Sequence, residues 1–178
     1  MQLFQEMQRE EMPPDRFTFV LVIRACAGLG RLDEGRSVHV QIIESGLESQ
    51  VFVGNSLIAM YAKCGSIEDA WKVFNKMSSR DVVTWNAMIL GHVKFGQGQK
   101  ALFRQMQQEN VKPDSFIFVG VLNACASIGA LEEGRCAHAE FIQSGCESHV
   151  FVGNSLVDMY AKCGSIEDAW IVFNNMSS

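Results

Sequence analysis

The sequence predicts an all-α fold, a solenoid of stacked helix-turn-helix hairpins, and three observations predict it. The first is duplication: VFVGNSLIAMYAKCGSIEDAWKVFNKMSS from Val51 returns as VFVGNSLVDMYAKCGSIEDAWIVFNNMSS from Val150. At the same offset Phe17 and Phe19 align with Phe116 and Phe118, Cys26 with Cys125 and His39 with His138, so the chain is two tandem copies. The second is a finer recurrence within each copy. An apolar segment, a Gly-containing turn and a second apolar segment return roughly every 31 to 35 residues, the spacing of helical-hairpin repeats. The third is periodicity. Leu57, Met60, Tyr61 and Cys64 fall at i, i+3, i+4 and i+7, as do Ala70, Val73, Phe74 and Met77, which is one face of a 3.6-residue helix.

Each element follows from this pattern and its punctuation. Hairpins are expected at residues 17–27 with 33–44, 54–63 with 67–75, 85–94 with 99–108, 116–127 with 131–143 and 153–162 with 166–174. Between the helices of the second hairpin, Gly65 supplies a left-handed cap, and Ser66 followed by Asp69 offers a capping-box-like start. Asp15 and Asp114, each after a Pro, bring N-cap chemistry to repeat junctions. One hairpin cannot bury its apolar face alone, so the units are expected to stack as a single array over residues 1–178.

Composition narrows the function classes. The chain is 48% hydrophobic and 20% charged with only 3 Pro, which excludes disordered and collagen-like polypeptides. No run approaches the ~18 apolar residues of a membrane span, and Met1 is followed by no signal-peptide pattern, so a soluble chain without a visible targeting segment is expected. Six Cys without a C-x-x-C pair resemble neither a disulfide scaffold nor a zinc module, and favour a reducing compartment. The net charge of −5 opposes a polyanionic partner unless the positive groups gather on one surface.

VVTWNAMI at Val82, VKPD ending at Asp114, ACAGLGRLDEGRSVH at Ala25 and VFVGNSLIAMYAKCGSIEDA at Val51 resemble pentatricopeptide repeats over nearly the whole chain. The alternating unit lengths are similar to the plant PLS subclass. That resemblance implies a right-handed α-α superhelix with a partial P repeat at 1–15, L repeats at 16–50 and 115–149, an S repeat at 51–81, a P repeat at 82–114 that is two residues short, and a truncated S repeat at 150–178. Both ends then fall mid-array, and the chain is expected to be an internal piece of a longer protein. The family implies sequence-specific binding of single-stranded RNA in a chloroplast or mitochondrion, about one base per repeat, in RNA processing or C-to-U editing. A separate editing deaminase or editing-complex protein is the further partner it suggests. No cofactor, metal, membrane or enzymatic activity is implied.

The family rule assigns base choice to the fifth residue of a unit together with its last. The matching pairs are Asn55 with Asp81 and Asn86 with Asp114, a combination associated with uridine; Asn154 holds the reading position without a partner in the sequence. The L repeats place Val20 with Gln50 and Val119 with His149 there, which reads as spacing.

The chemistry is intelligible from the residues themselves. An Asn amide carries a donor and an acceptor for the Watson–Crick edge of an unpaired base, and an acidic partner can fix which way the amide points. Val83, Asn86 and Lys94 sit at i, i+3 and i+11, within about 60° of one another on a helix at 100° per residue. Phe52, Asn55 and Lys63 repeat the stripe, as do Phe151, Asn154 and Lys162. An apolar side chain to clamp the base, an amide to read it and an ammonium for the phosphate make a one-nucleotide unit.

Each of these residue types also has a structural role. An isolated Asn near a helix start is commonly a cap, and only its recurrence beside Lys and an apolar residue argues for reading. Phe52, Val83 and Phe151 suit a core as well as a clamp, and Lys63, Lys94 and Lys162 suit a solvated helix C-terminus. Cys26, Cys64, Cys125 and Cys163 are expected to be buried as small apolar residues, and Trp71 and Trp170 to pack between apolar neighbours. His138-Ala139-Glu140 matches the first half of a zinc-deaminase signature, but no P-C-x-x-C follows, and its copy is His39-Val40-Gln41.

The alternative class is a protein- or peptide-binding helical scaffold, since Trp85, Ala101 and Phe103 faintly resemble the tetratricopeptide pattern; the unequal units and Asn/Asp pairs fit it poorly. One departure from the repeat remains: Ala101-Leu102-Phe103 falls two residues short, about 200° of rotation, which either the turn around Gly96 and Gly98 absorbs or a shifted helix takes up.

Overall fold

The structure is a computed structural model that describes residues 2–93, 99–145 and 150–176. The described residues form eleven helices and no strand: α1 Gln2–Arg9, α2 Arg16–Leu29, α3 Leu32–Glu44, α4 Val51–Lys63, α5 Ile67–Lys76, α6 Val82–Val93, α7 Gln99–Gln108, α8 Ser115–Ile128, α9 Leu131–Ser144, α10 Val150–Lys162 and α11 Ile166–Met176. They divide into two compact units, Met1–Met88 and Ile89–Ser178, with the division inside α6. None of the described helices is long and apolar enough to cross a membrane.

In the first unit, α2 packs on α3 and α4, and α4 packs on α5. A helix touched from several sides must be apolar around most of its circumference, and α4 accordingly buries Val53, Leu57, Ile58, Met60 and Tyr61. Helix α5 touches its unit along one stripe and buries only Ala70, Val73 and Phe74. Fully burying side chains of this size contributes about 1.5–3 kcal/mol each. Aromatic edges join successive layers: Phe4 meets Phe19 with ring centroids 6.1 Å apart, and Phe74 meets Trp85 at 4.8 Å.

The second unit repeats the plan, with α8 on α9 and α10, and α10 on α11. Phe103, Met106 and Leu102 of α7 are all buried, and Phe103 stacks on Phe118 at 5.5 Å. The two-residue shortening therefore leaves α7 its core face, which is one of the two outcomes open from the sequence, absorption of the loss in the turn around Gly96 and Gly98 or a shifted helix; those two glycines lie outside the described residues.

Helix boundaries differ in one consistent way. Helices α4, α6 and α10 begin at Val51, Val82 and Val150, three residues earlier than periodicity alone predicts; of each added turn only the third residue, Val53, Thr84 or Val152, is buried. Gln50 is consequently the N-cap of α4, and Asn55 sits one turn inside the helix, where it cannot act as a cap.

The turn after α4 is as expected at Gly65, whose φ of +82° lies in the left-handed region. Ser66 behaves differently. Its hydroxyl makes no cap hydrogen bond to the backbone; it donates to Asp69 Oδ2 at 2.8 Å. Asp69 also accepts from Lys72 Nζ at 2.8 Å and from Arg36 Nη2 of α3 at 2.8 Å. Lys72, Arg36 and Ser66 together outweigh burial and hold the Asp69 carboxyl far below the usual carboxylate range. The second unit copies the bridge as Arg135 to Asp168, 3.0 Å. Beside each bridge a histidine Nδ1 meets a tyrosine hydroxyl, His39 with Tyr61 at 2.8 Å and His138 with Tyr160 at 2.9 Å. Burial draws both imidazoles below their usual pKa of 6.5.

Two packing expectations need correction. Cys26 and Cys125 are buried, but Cys64 and Cys163 are half-buried, their thiols directed at the Cys26 and Cys125 carbonyls at 4.0 and 3.8 Å. Trp71 is half-buried against Phe74, whereas Trp170 is 60% exposed and meets only the edge of Phe173 among the described rings.

Candidate functional site

The geometry that matters is assembled at the start of α6. Asp81 stands one residue before Val82 and caps the helix, its Oδ1 accepting the Thr84 N–H at 2.8 Å. Thr84 returns the contact, its Oγ accepting the Asp81 N–H at 3.1 Å. This reciprocal cap places the Asp81 carboxylate beside α4, where Oδ1 also accepts Asn55 Nδ2–H at 3.1 Å. The Thr84 hydroxyl donates to Asn55 Oδ1 at 2.6 Å and lies 2.8 Å from Asp81 Oδ1. Burial raises the Asp81 pKa, but hydrogen bonds from the Thr84 backbone N–H, the Asn55 side-chain amide and the Val83 backbone N–H outweigh it, leaving the carboxyl below its ordinary value. Asp81 is therefore an anion at neutral pH and only accepts, so it holds the nitrogen end of the Asn55 amide through one hydrogen bond.

Asn55 is 9% exposed, and what remains of its surface borders a groove of about 650 Å³. Phe52, Lys63, Arg24, Asp81 and Val83 border the same groove. On α4 the structure brings Phe52, Asn55 and Lys63 to one concavity. Phe52 and Val83 are 51% and 53% exposed, too open for core residues and placed as walls. Phe17 sets its edge against Phe52 at 6.3 Å, with Arg16 stacked over its outer face at 4.8 Å.

The other predicted residues are placed less completely. Asn86 is half-buried on α6. Asp114 belongs to the second unit and caps α8 through Ile117 N–H at 2.9 Å. Lys94 and His149 lie outside the described residues. On α10, Asn154 and Phe151 are exposed, and Lys162 is paired with Asp158 at 2.8 Å. The residue matching Asp158 in the first copy is Ala59, so Lys63 has no such carboxylate one turn away. A surface pair of this kind is worth at most about 1 kcal/mol. Val20, at the reading position of the first long unit, is buried and apolar, and Val119 is half-buried.

Of the His138-Ala139-Glu140 triplet, the His138 Nδ1 meets the Tyr160 hydroxyl at 2.9 Å and Glu140 is buried. Among the described residues no group of three or more His, Cys, Asp or Glu could hold a metal ion. Sequence reasoning overlooked Thr84. Its signal was the D-x-x-T spacing from Asp81, a capping box with the carboxylate at the N-cap.

Comparison with known proteins follows the same residues. The description "PPR repeat" matches residues 17–47, 55–82 and 154–178, and "PPR repeat family" matches 80–127. A chloroplastic pentatricopeptide repeat-containing protein of Arabidopsis thaliana is 40% identical over 176 residues, covering 98% of this chain and 28% of the relative. A second from the same plant, named chloroplastic/mitochondrial, is 43% identical over 176 residues, covering 96% of this chain and 27% of the relative. The chain thus spans about a quarter of the length of these curated relatives. Among solved structures, that of PPR10, a maize pentatricopeptide repeat protein, in complex with an 18-nt psaJ RNA element superposes with a TM-score of 0.77 at 24% identity, covering 97% of this chain and 26% of that one. At that identity the likeness establishes the α-solenoid fold.

Proposed function

Because this chain belongs to the pentatricopeptide repeat family, we propose that it binds single-stranded RNA along its repeats and reads individual bases through Asn/Asp pairs. The observation that carries the reading is the Asn55–Asp81–Thr84 ring opening on a groove walled by Phe52 and Val83 with Lys63 alongside. Uracil presents an N3–H donor beside carbonyl acceptors, and the free N–H and lone pair of the Asn55 amide complement them. Phe52 and Val83 clamp the base faces, and Lys63 meets the phosphate. The repeat pattern assigns Asn86, Asp114 and Asn154 the same reading role, with Phe151 as clamp and Lys162 and Lys94 as phosphate contacts. A structural neighbour solved with RNA supports the ligand class.

The finer assignment is to the PLS subclass, with the repeat divisions given above, as the recognition part of an organellar processing or C-to-U editing factor. Relatives named chloroplastic and chloroplastic/mitochondrial support the compartment. The role is recognition, with catalysis supplied by a separate partner. A peptide-binding scaffold would leave nucleic acid unbound. The test is fluorescence anisotropy with labelled RNA decamers over a series of salt concentrations. Uridine decamers are expected to bind, with affinity falling linearly on a log–log salt plot and unlabelled duplex RNA competing poorly. Failure of every single-stranded decamer to bind at low salt would contradict the reading.

A further inference from the structure

We propose that Thr84, a residue of the following hairpin, is the positioning group that makes the Asn55 unit discriminate uridine from cytidine. This deepens the reading just given and rests on Asn55 being the base-facing amide. The Asp81 carboxylate has no proton to give, so Asn55 Nδ2 faces it and Oδ1 faces Thr84. Thr84 Oγ already accepts from the Asp81 N–H, so its single proton is directed outward. Of its two acceptors, Asn55 Oδ1 at 2.6 Å is nearer than Asp81 Oδ1 at 2.8 Å. The hydroxyl proton therefore goes to the amide oxygen, and the second Nδ2–H of Asn55 is left for the base. The side chain that supplies it is fully buried, so solvent cannot substitute for it.

Orientation is what separates the two pyrimidines. At positions 4 and 3 uracil presents acceptor then donor, and cytosine presents donor then acceptor. An amide held nitrogen toward Asp81 and oxygen toward Thr84 offers one fixed order, whereas an amide tethered at one end can swing to serve either base. The same lock is absent by sequence from the second pair. The residue three after Asp114 is Ile117, which has no hydroxyl, although Thr18 stands three after Asp15 and donates to its Oδ1 at 2.8 Å. The D-x-x-T spacing thus distinguishes a locked reading unit from an unlocked one within this chain.

The test compares affinities for uridine and cytidine decamers at constant ionic strength for the whole chain, Thr84→Val and Thr84→Ser, with circular dichroism confirming helicity. Thr84→Val is expected to reduce the uridine-over-cytidine ratio about fivefold, the effect of one net hydrogen bond, and Thr84→Ser to restore it. A helical Thr84→Val protein with the wild-type ratio overturns the proposal while leaving the base-reading role of Asn55 standing. A wild-type chain without any uridine preference overturns that role itself, and this inference with it. A measurement on the unmodified chain guards against a variant that does not fold. The buried Thr84 hydroxyl proton should exchange slowly enough with water to give its own NMR signal with a cross-peak to the Asn55 side-chain amide, and a hydroxyl exchanging as fast as an exposed one would overturn the lock.

Discussion

Trp85→Ala is expected to cost the first unit about 3–5 kcal/mol, the range for truncating a fully buried tryptophan. The indole is 0% exposed and its centroid lies 4.8 Å from that of Phe74, so its removal opens a cavity between α5 and α6. Trp85→Phe should lose far less. The indole N–H finds no acceptor among the described residues, so the smaller ring gives up packing but also removes a buried unpaired donor. Trp170→Ala provides the contrast: at 60% exposure it should change stability by less than about 1 kcal/mol. Urea denaturation followed by circular dichroism measures all three. Because stacked repeats gain stability from near-neighbour terms, the Trp85→Ala curve should broaden or split as well as shift.

Phe52→Ala carries the second large effect, on binding. The ring is 51% exposed and makes its one described aromatic contact with Phe17, so the helix should tolerate its loss. A base stacked on it would lose about 1–3 kcal/mol, and the loss should be nearly equal for uridine, cytidine and adenosine decamers because every base has a π-face. Equal weakening across bases identifies a clamp. Weakening confined to uridine would make Phe52 part of the reading apparatus, and no weakening would return it to a purely structural role.

These outcomes bear on what a linear sequence discloses. The hairpins were legible because a 3.6-residue period and a Gly turn are local signals, and duplication made every signal appear twice. The stripe of Phe52, Asn55 and Lys63 was legible for the same reason, since one helix carries all three. The starts of α4, α6 and α10 lie three residues earlier than the period shows, because in VFV and VVT only the third residue, Val53, Thr84 or Val152, is buried and the first two carry no core period. Ser66 was misread because a serine three before an aspartate suits a capping box, and only the arrival of Arg36 from α3 shows that the carboxylate is committed elsewhere.

Thr84 was the harder omission. It looks like an ordinary helix-start threonine in sequence, and its value arises from Asn55, 29 residues away, which brings an amide oxygen to its hydroxyl. The same holds for glycines that matter by proximity. Gly35 of α3 faces Met60 of α4 so closely that a built Cβ would lie 2.6 Å from its sulfur, and Gly134 repeats this against Met159. Pattern alone gives such glycines no partner. The bridge from Arg36 to Asp69 is likewise a long-range contact, recognisable in retrospect by its exact return as Arg135 and Asp168.

The central claim is that a nucleotide base enters the groove between α4 and the start of α6. Titrating a uridine decamer into isotopically labelled protein and following backbone and side-chain amide NMR signals tests it directly. The account predicts that the Asn55 side-chain amide and the backbone amides of Phe52, Lys63 and Val83 shift together with one binding curve, while Arg36 and Asp69 on α3 and α5 stay in place. Saturating RNA that moves the Arg36 and Asp69 signals and leaves the Asn55 amide unchanged would contradict it.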